Sequence, residues 1–299
     1  MPAPAPPPTT TKPLCTSSAI ISAICALPNG DFVVIVNDLD RQPITHRILV
    51  CTPEFRIQHQ IEQIFEKDDG DPHLLLFPGL MECDGETLYV LEELHDRIYS
   101  YNATDLTPRR MSAAKMAESL AVTTDRIFIT HRAYEGIRVV DKESLELRDQ
   151  RITLEGAEFQ AMAVLDDLLF ATEDDAESFP RATVHVFTLE GQHLRKVELG
   201  NVWDISFDKF KAAHGRLYVI ECAGSFDHED ADPQAKREAG KRLLVLSPAL
   251  ELVQTLPLIR HAWPTSMTVQ AERLVVMDDV LQAPMETLCT GRVIEMGPE

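Results

Sequence analysis

The chain has 299 residues, and 48 acidic against 28 basic side chains give it a formal net charge of −20. With 44% hydrophobic and 25% charged residues, its composition is that of a globular protein, which excludes a disordered chain. The acidic excess argues against nucleic-acid binding and against docking on an anionic membrane, because both need a basic surface.

The first 13 residues are rich in Pro and Thr and differ from the rest of the chain. They lack the basic start and the apolar run of a secretory signal, and no later stretch approaches the ~20 apolar residues of a membrane span. The six cysteines form no CxxC pair. We therefore expect a cytoplasmic protein with reduced thiols, in which segment 1–13 precedes a single domain over 14–299.

Internal repetition is the strongest signal in the sequence. Short apolar runs are bounded by turn residues, as in FPGLMECDGETLYVLE at 77–92, and a third run, DRIYSY, follows at 96–101. Helical character is confined to short stretches such as 113–118. The unit recurs six times, and its second strand ends successively at Asn37, Glu92, His131, Glu173, Glu221 and Asp278. Spacings of 39 to 57 residues predict an all-β, six-bladed propeller with four-stranded blades.

The ends of the sequence indicate how such a ring would close. Five units have a candidate fourth strand, but the last unit stops just after its third strand at 291–296. Segment Thr9–Leu14 precedes the first blade and is otherwise unassigned. We therefore predict that this N-terminal segment pairs with 291–296 as the outer strand of the sixth blade.

One unit supports a family resemblance. Its residues Pro78-Gly-Leu, Asp84-Gly, Leu88-Tyr-Val, Glu92 and Arg97-Ile-Tyr-Ser-Tyr resemble an NHL repeat. The unit is also similar to a wider group of six-bladed propellers that includes strictosidine synthase, the paraoxonases and the gluconolactonases. The resemblance implies an interaction platform, as NHL proteins generally are, or a hydrolase with calcium on the propeller axis.

Candidate site residues follow from the repeat. In a four-stranded blade, the second strand ends on the face where the first strand begins, so one mouth of the propeller should collect Asp38, Glu92, Glu93, His131, Glu173, Asp174, Glu221, Asp278 and Asp279. These carboxylates could bind a basic peptide, hold Ca²⁺ or simply be solvated at loop starts. His131 is the one candidate for acid–base catalysis, and the alternative is a hydrogen-bonded structural histidine. The long loop 222–241 belongs to the same side.

The sequence contains no nucleophile elbow, HExxH motif or phosphate-binding loop. We therefore predict a monomeric, non-enzymatic interaction module or scaffold that binds a protein or basic peptide through its acidic face and needs no cofactor. The alternative is a calcium-dependent hydrolase of the lactonase or esterase type.

Overall fold

A computed structural model of the chain describes residues 13–15, 19–38, 45–61, 65–66, 72–73, 78–92, 97–114, 117–131, 136–173, 182–199, 210–220, 242–257, 262–270, 273–282 and 286–295. Within these ranges the chain forms strands, turns and loops, with no helix. Accordingly, this part of the chain offers no helical segment with the length and hydrophobicity of a membrane span.

Most strands belong to six four-stranded antiparallel sheets in which consecutive strands are neighbours. Sheet 1 contains β2 (Ala19–Ala26), β3 (Phe32–Asp38), β4 (Thr45–Cys51) and β5 (Ile57–Ile61). Sheet 2 contains β8 (Pro78–Cys83), β9 (Thr87–Glu92), β10 (Arg97–Asn102) and β11 (Pro108–Ala113). Sheet 3 contains β12 (Ala117–Val122), β13 (Arg126–His131), β14 (Ile137–Asp141) and β15 (Leu147–Ile152).

The second half of the chain repeats this order. Sheet 4 contains β16 (Phe159–Leu165), β17 (Leu168–Glu173), β18 (Thr183–Thr188) and β19 (His193–Glu198). Sheet 5 contains β20 (Phe210–Ala213), β21 (Arg216–Ile220), β22 (Arg242–Leu246) and β23 (Leu252–Pro257). Sheet 6 contains β24 (Ala262–Gln270), β25 (Arg273–Gln282), β26 (Glu286–Glu295) and β1 (Pro13–Cys15). A small hairpin of β6 (Phe65–Glu66) and β7 (Pro72–His73) lies between sheets 1 and 2 in the chain.

The inner strands, β2, β8, β12, β16, β20 and β24, arrange the sheets around an axis. Each inner strand contacts the inner strand of the next sheet, and β24 contacts β2. The fold is therefore an all-β propeller with four-stranded antiparallel blades, as the repeat predicted.

The N-terminal segment supplies the outer strand of sheet 6. In β1, Pro13 pairs with Thr290 and Cys15 with Cys289, antiparallel to β26. The predicted partnership between the two ends of the chain is confirmed. Its register differs from the expected one, because the pairing falls on residues 289–290, just before the predicted partner strand.

The core lies between adjacent blades. One cluster joins Val33 and Ile35 of β3 to Val90 of β9 and Tyr99 of β10, and another joins β3 to Val275 of β25. A single four-stranded sheet cannot bury both of its faces, so each blade depends on its two neighbours for its hydrophobic stabilisation.

The turn between the third and fourth strands also repeats. Phe55, Leu106, Leu145 and Leu250 each occupy it with a φ of 57 to 67°, a left-handed conformation that usually favours Gly or Asn. Their side chains are buried, with at most 9% exposed. Apolar burial between blades therefore outweighs the backbone strain at this position.

The expectation of helical character at 113–118 is wrong. Ala113 ends β11 and Ala117 begins β12, and both Ala114 and Ala117 are buried against the core of blades 2 and 3. Packing between blades overrides the helix propensity of alanine here.

Candidate functional site

Strand register brings the predicted site positions to one side of the propeller. Pro78, at the start of β8, pairs with Glu92, at the end of β9. Ala117 pairs in the same way with His131, and Phe159 with Glu173. Every inner strand begins on this side, which we call the first-strand face. The opposite side carries the hairpin turns, and we call it the turn face. Asp38, Asp278 and Asp279 lie at the corresponding end of β3 or β25.

Glu92 is buried inside blade 2, with 0% of the residue exposed. Its Oε2 accepts a hydrogen bond of 2.7 Å from the hydroxyl of Tyr99 on β10. Burial raises the pKa of Tyr99, and the hydrogen bond to Glu92 raises it further, so the phenol remains a donor at neutral pH. The carboxylate of Glu92 is thus engaged within the sheet.

Glu173 forms a more extended network in blade 4. Its Oε2 lies 2.6 Å from Lys196 Nζ and 3.0 Å from Nε2 of the buried His185. The Nδ1 atom of His185 lies 3.1 Å from Nε2 of the exposed His193. Because an ionised carboxylate only accepts hydrogen bonds, we assign the ring proton of His185 to Nε2, which donates to Glu173. Nδ1 of His185 is then an acceptor, so Nε2 of His193 carries the proton and donates to it.

The protonation states of this network follow from burial and pairing. Burial alone would raise the pKa of Glu173, but hydrogen bonds from Lys196 and His185 outweigh it and lower the pKa. For His185, burial is the largest effect and lowers the pKa below 6.5, although Glu173 opposes the shift. A neutral imidazole therefore bridges the carboxylate and His193.

The two acids occupy equivalent positions with equivalent partners. Glu92 lies two residues beyond Val90, which pairs with Tyr99, and Glu173 lies two residues beyond Ala171, which pairs with His185. Polar residues hold the same diagonal position in three other blades. The strand-end and third-strand residues there are Asp38 with Arg47, His131 with Arg138, and Asp278 with Arg292. The strand-end acid thus belongs to a repeated element of the blade, which explains why the sequence marks it so clearly.

A second charged feature lies on the axis. The Nζ atom of Lys211 on β20 donates to Oε1 of Glu82 on β8. These inner strands are three places apart in the ring, so the ion pair spans the central channel from blade 2 to blade 5. Both side chains are largely buried, with 14% and 27% exposed. This pair could not be predicted from the sequence, because no motif links two residues that are 129 positions apart.

Two thiols lie beside this ion pair. Burial raises the pKa of Cys25 well above its ordinary value, and the charge of Glu82 raises it further. Burial also raises the pKa of the half-buried Cys83. Both thiols are therefore protonated at neutral pH and are weak nucleophiles.

The remaining predicted residues divide into two groups. Glu93, Asp174, Glu221 and the whole loop 222–241 lie outside the described residues. For His131, the candidate for acid–base catalysis, the structure gives its place at the end of β13, on the first-strand face. In the part of the chain that is described, no group of three or more His, Cys, Asp or Glu side chains is placed to hold a metal ion.

Comparisons with known proteins show the fold. No protein-family model and no curated protein matches the chain. Its fold is similar to hydrazine synthase from Kuenenia stuttgartiensis, with a TM-score of 0.56 and 11% identity over 87% of this chain and 76% of that one. The fold is also similar to a chain of a mitotic checkpoint complex, with a TM-score of 0.54 and 9% identity over 99% of this chain and 96% of that one. For Kluyveromyces lactis Hsv2 the TM-score is 0.50, with 10% identity over 95% of this chain and 75% of that one.

At these identities the similarity establishes the β-propeller fold alone. Membership of the NHL-like group therefore stays a prediction, and any function has to be inferred from the chain itself.

Proposed function

We propose that the protein is a non-enzymatic interaction module in which six blades form one closed ring and the first-strand face binds a basic segment of a protein. The observation that carries the proposal is the register, which brings the strand ends of separate blades, and with them the connections that follow, to the same side. Glu92 and Glu173 are bonded within their blades, so residues of these connections, far apart in sequence, would contact the partner.

The connections on the first-strand face supply the negative charge. Some of them join the outer strand of one blade to the inner strand of the next, and the others join the second and third strands of a blade. Together these connections contain 22 acidic and 10 basic residues. Their formal charge is thus −12, more than half of the net charge of the chain. Charge complementarity favours a basic partner at such a surface and speeds its association.

The turn face is also acidic, with 13 acidic and 2 basic residues in its turns, but its geometry suits binding less well. Its turns contain at most five residues, whereas the first-strand face has connections of up to 21 residues. Several of its acids are used locally. Asp84 accepts bonds from two backbone amides and pairs with Lys142, and Asp141 pairs with Arg148. The length of the connections therefore favours the first-strand face as the binding surface.

The ion pair on the axis does not favour the alternative function, a calcium-dependent hydrolase. An axial Ca²⁺ would need six to eight oxygen ligands. Among the described residues, the axial carboxylate of Glu82 is already paired with the ammonium of Lys211, which would repel a second cation at this level. The residues described around this ion pair therefore do not fit an axial calcium ion.

The proposal is tested by reversing charge on one face at a time. Glu155 and Glu158 are exposed in the connection that leads into blade 4 on the first-strand face, and Asp167 and Glu190 are exposed in turns of blade 4 on the opposite face. The variants Glu155→Lys/Glu158→Lys and Asp167→Lys/Glu190→Lys change the net charge by the same amount. Their affinities for fluorescein-labelled octalysine are compared at two salt concentrations.

We expect the first-strand variant to bind at least tenfold more weakly and the turn-face variant to stay within about threefold of the wild type, because only the first removes charge from the binding surface. Equal losses in both variants would show that octalysine senses only net charge. A loss confined to the turn-face variant would place the site on the opposite side. Either result would contradict the proposal.

A further inference from the structure

A depression on the turn face is separate from the surface discussed above. It has a volume of about 780 Å³ and lies where the turns of blades 1, 2 and 6 meet. Its walls combine polar groups with an apolar part that includes Leu27, Pro28, Pro53 and Val269. A concave site with apolar walls and a few polar groups is the usual form of a small-molecule site.

The charge of the lining is opposite to that of its surroundings. Among the described residues that line the depression, Arg273 is the one charged side chain. The turns of the same face contain 13 acidic and 2 basic residues. The described lining thus adds a positive charge to a strongly acidic face, and this charge favours an anionic ligand group over a cationic one.

Two donors converge there. Gln270 ends β24 and Arg273 begins β25, and the two residues pair directly across the hairpin. Side chains at such paired positions project from the same face of the sheet with Cβ atoms about 5 Å apart. The Nε2 atom of Gln270 is buried and has no hydrogen-bond partner within the described part of the protein. A buried donor without a partner is unfavourable, and an acceptor atom from a ligand would satisfy it.

The neighbouring turn leaves the space open. Gly30 has a φ of +95°, which strongly favours glycine, and a Cβ at this position would lie 4.0 Å from Gln270 Nε2. The backbone conformation therefore favours glycine here, and no side chain at this position packs against the amide.

We propose that this depression binds a small monocarboxylate with an apolar body. The carboxylate would accept hydrogen bonds from the Arg273 guanidinium and from Gln270 Nε2, and the apolar body would contact Leu27, Pro53 and Val269. A single cation with one amide donor matches one negative charge and two acceptor oxygens, whereas a phosphate dianion would need further donors.

The half-buried thiol of Cys83 also lines the depression and provides a direct readout. The rate at which iodoacetamide alkylates Cys83 is followed by peptide mass spectrometry on the full chain, with octanoate, octylammonium or inorganic phosphate added. We expect octanoate to slow the alkylation of Cys83 at least fivefold at saturation, and the other two compounds to leave the rate unchanged. No protection by octanoate, or equal protection by octylammonium or phosphate, would overturn the proposal.

Substitutions test the two donors. Arg273→Gln should weaken octanoate binding about tenfold, because it removes the charge-assisted hydrogen bonds. Arg110→Gln, which removes an equally exposed cation from the outer strand of blade 2, should change the affinity less than twofold. Gln270→Leu should weaken binding without loss of thermal stability, because it removes a buried donor that lacks a partner. Equal effects of Arg273→Gln and Arg110→Gln would refute the assignment.

Discussion

Glu92 and Glu173 show how one side-chain position can be acidic for a structural reason. Each ends the second strand of its blade and accepts a hydrogen bond from a third-strand residue, Tyr99 in one case and His185 in the other. A buried carboxylate without such a donor would be costly, so the acid and its partner have to be present together. The variation of the partner between tyrosine and histidine gives the two blades different responses to pH.

His185 should make the stability of the protein depend on pH. Its pKa is lowered in the folded state, so below the unfolded value of about 6.5 the unfolded chain binds the proton more readily. The free energy of unfolding should therefore fall as the pH is lowered through 6.5 toward the folded pKa, by up to about 1.4 kcal/mol per pH unit. The lowered pKa of Glu173 adds a further loss below about 4.5.

The measurement is urea unfolding of the wild type and of His185→Gln at pH 7, 6 and 5. The stability difference between the two proteins should shrink as the pH falls, because only the wild type has to exclude a proton from this site. His59→Gln, at an exposed position of β5, serves as the control. A difference that stays constant over this range would contradict the assignment.

At the scale of elements, β1 joins the two ends of the chain. Deletion of residues 1–15 removes the outer strand of sheet 6 and leaves the edge of β26 unpaired, whereas deletion of residues 1–8 leaves β1 in place. We expect the longer deletion to lower the free energy of unfolding by roughly 1–3 kcal/mol, since a few net hydrogen bonds are lost. Thermal melting compares the two truncated proteins, and indistinguishable melting temperatures would show that β1 does not stabilise the ring.

The strands themselves were largely predictable from the sequence. Apolar runs, turn residues and a recurring unit sufficed for four-stranded blades, and the missing last strand indicated the pairing of the N-terminus. The register of β1 was not predictable, because a three-residue strand has too few side chains to define its alignment. The stretch 113–118 was misjudged because Ala114 and Ala117 pack between two blades, a tertiary effect that local propensity does not contain.

The site was predictable only in outline. The placement of the strand-end residues on one face follows from topology, and the sequence revealed it. The partners of Glu92 and Glu173 lie on another strand at a diagonal position, so they become recognisable only when the register is known. The depression on the turn face draws its described lining from three blades and contains no local motif, and for this reason it could not be predicted from the sequence.

For the whole molecule, the ion pair between Lys211 and Glu82 should couple opposite sides of the ring. Lys211→Met leaves the largely buried carboxylate of Glu82 without this cation, and we expect a loss of about 2 kcal/mol or more. The double variant Lys211→Met/Glu82→Gln removes both charges and should be more stable than the single variant. The free energies of unfolding of the two variants are measured by urea denaturation. If the double variant is less stable than the single variant, the ion pair is not what couples the blades.

The ion pair between Lys211 and Glu82 also links blade 2 to blade 5, whose inner strands are not adjacent in sequence order around the axis. A ligand that drew either side chain out of the pair would change the electrostatic environment of both blades at once. Events in one half of the molecule would reach the other half through this crossing.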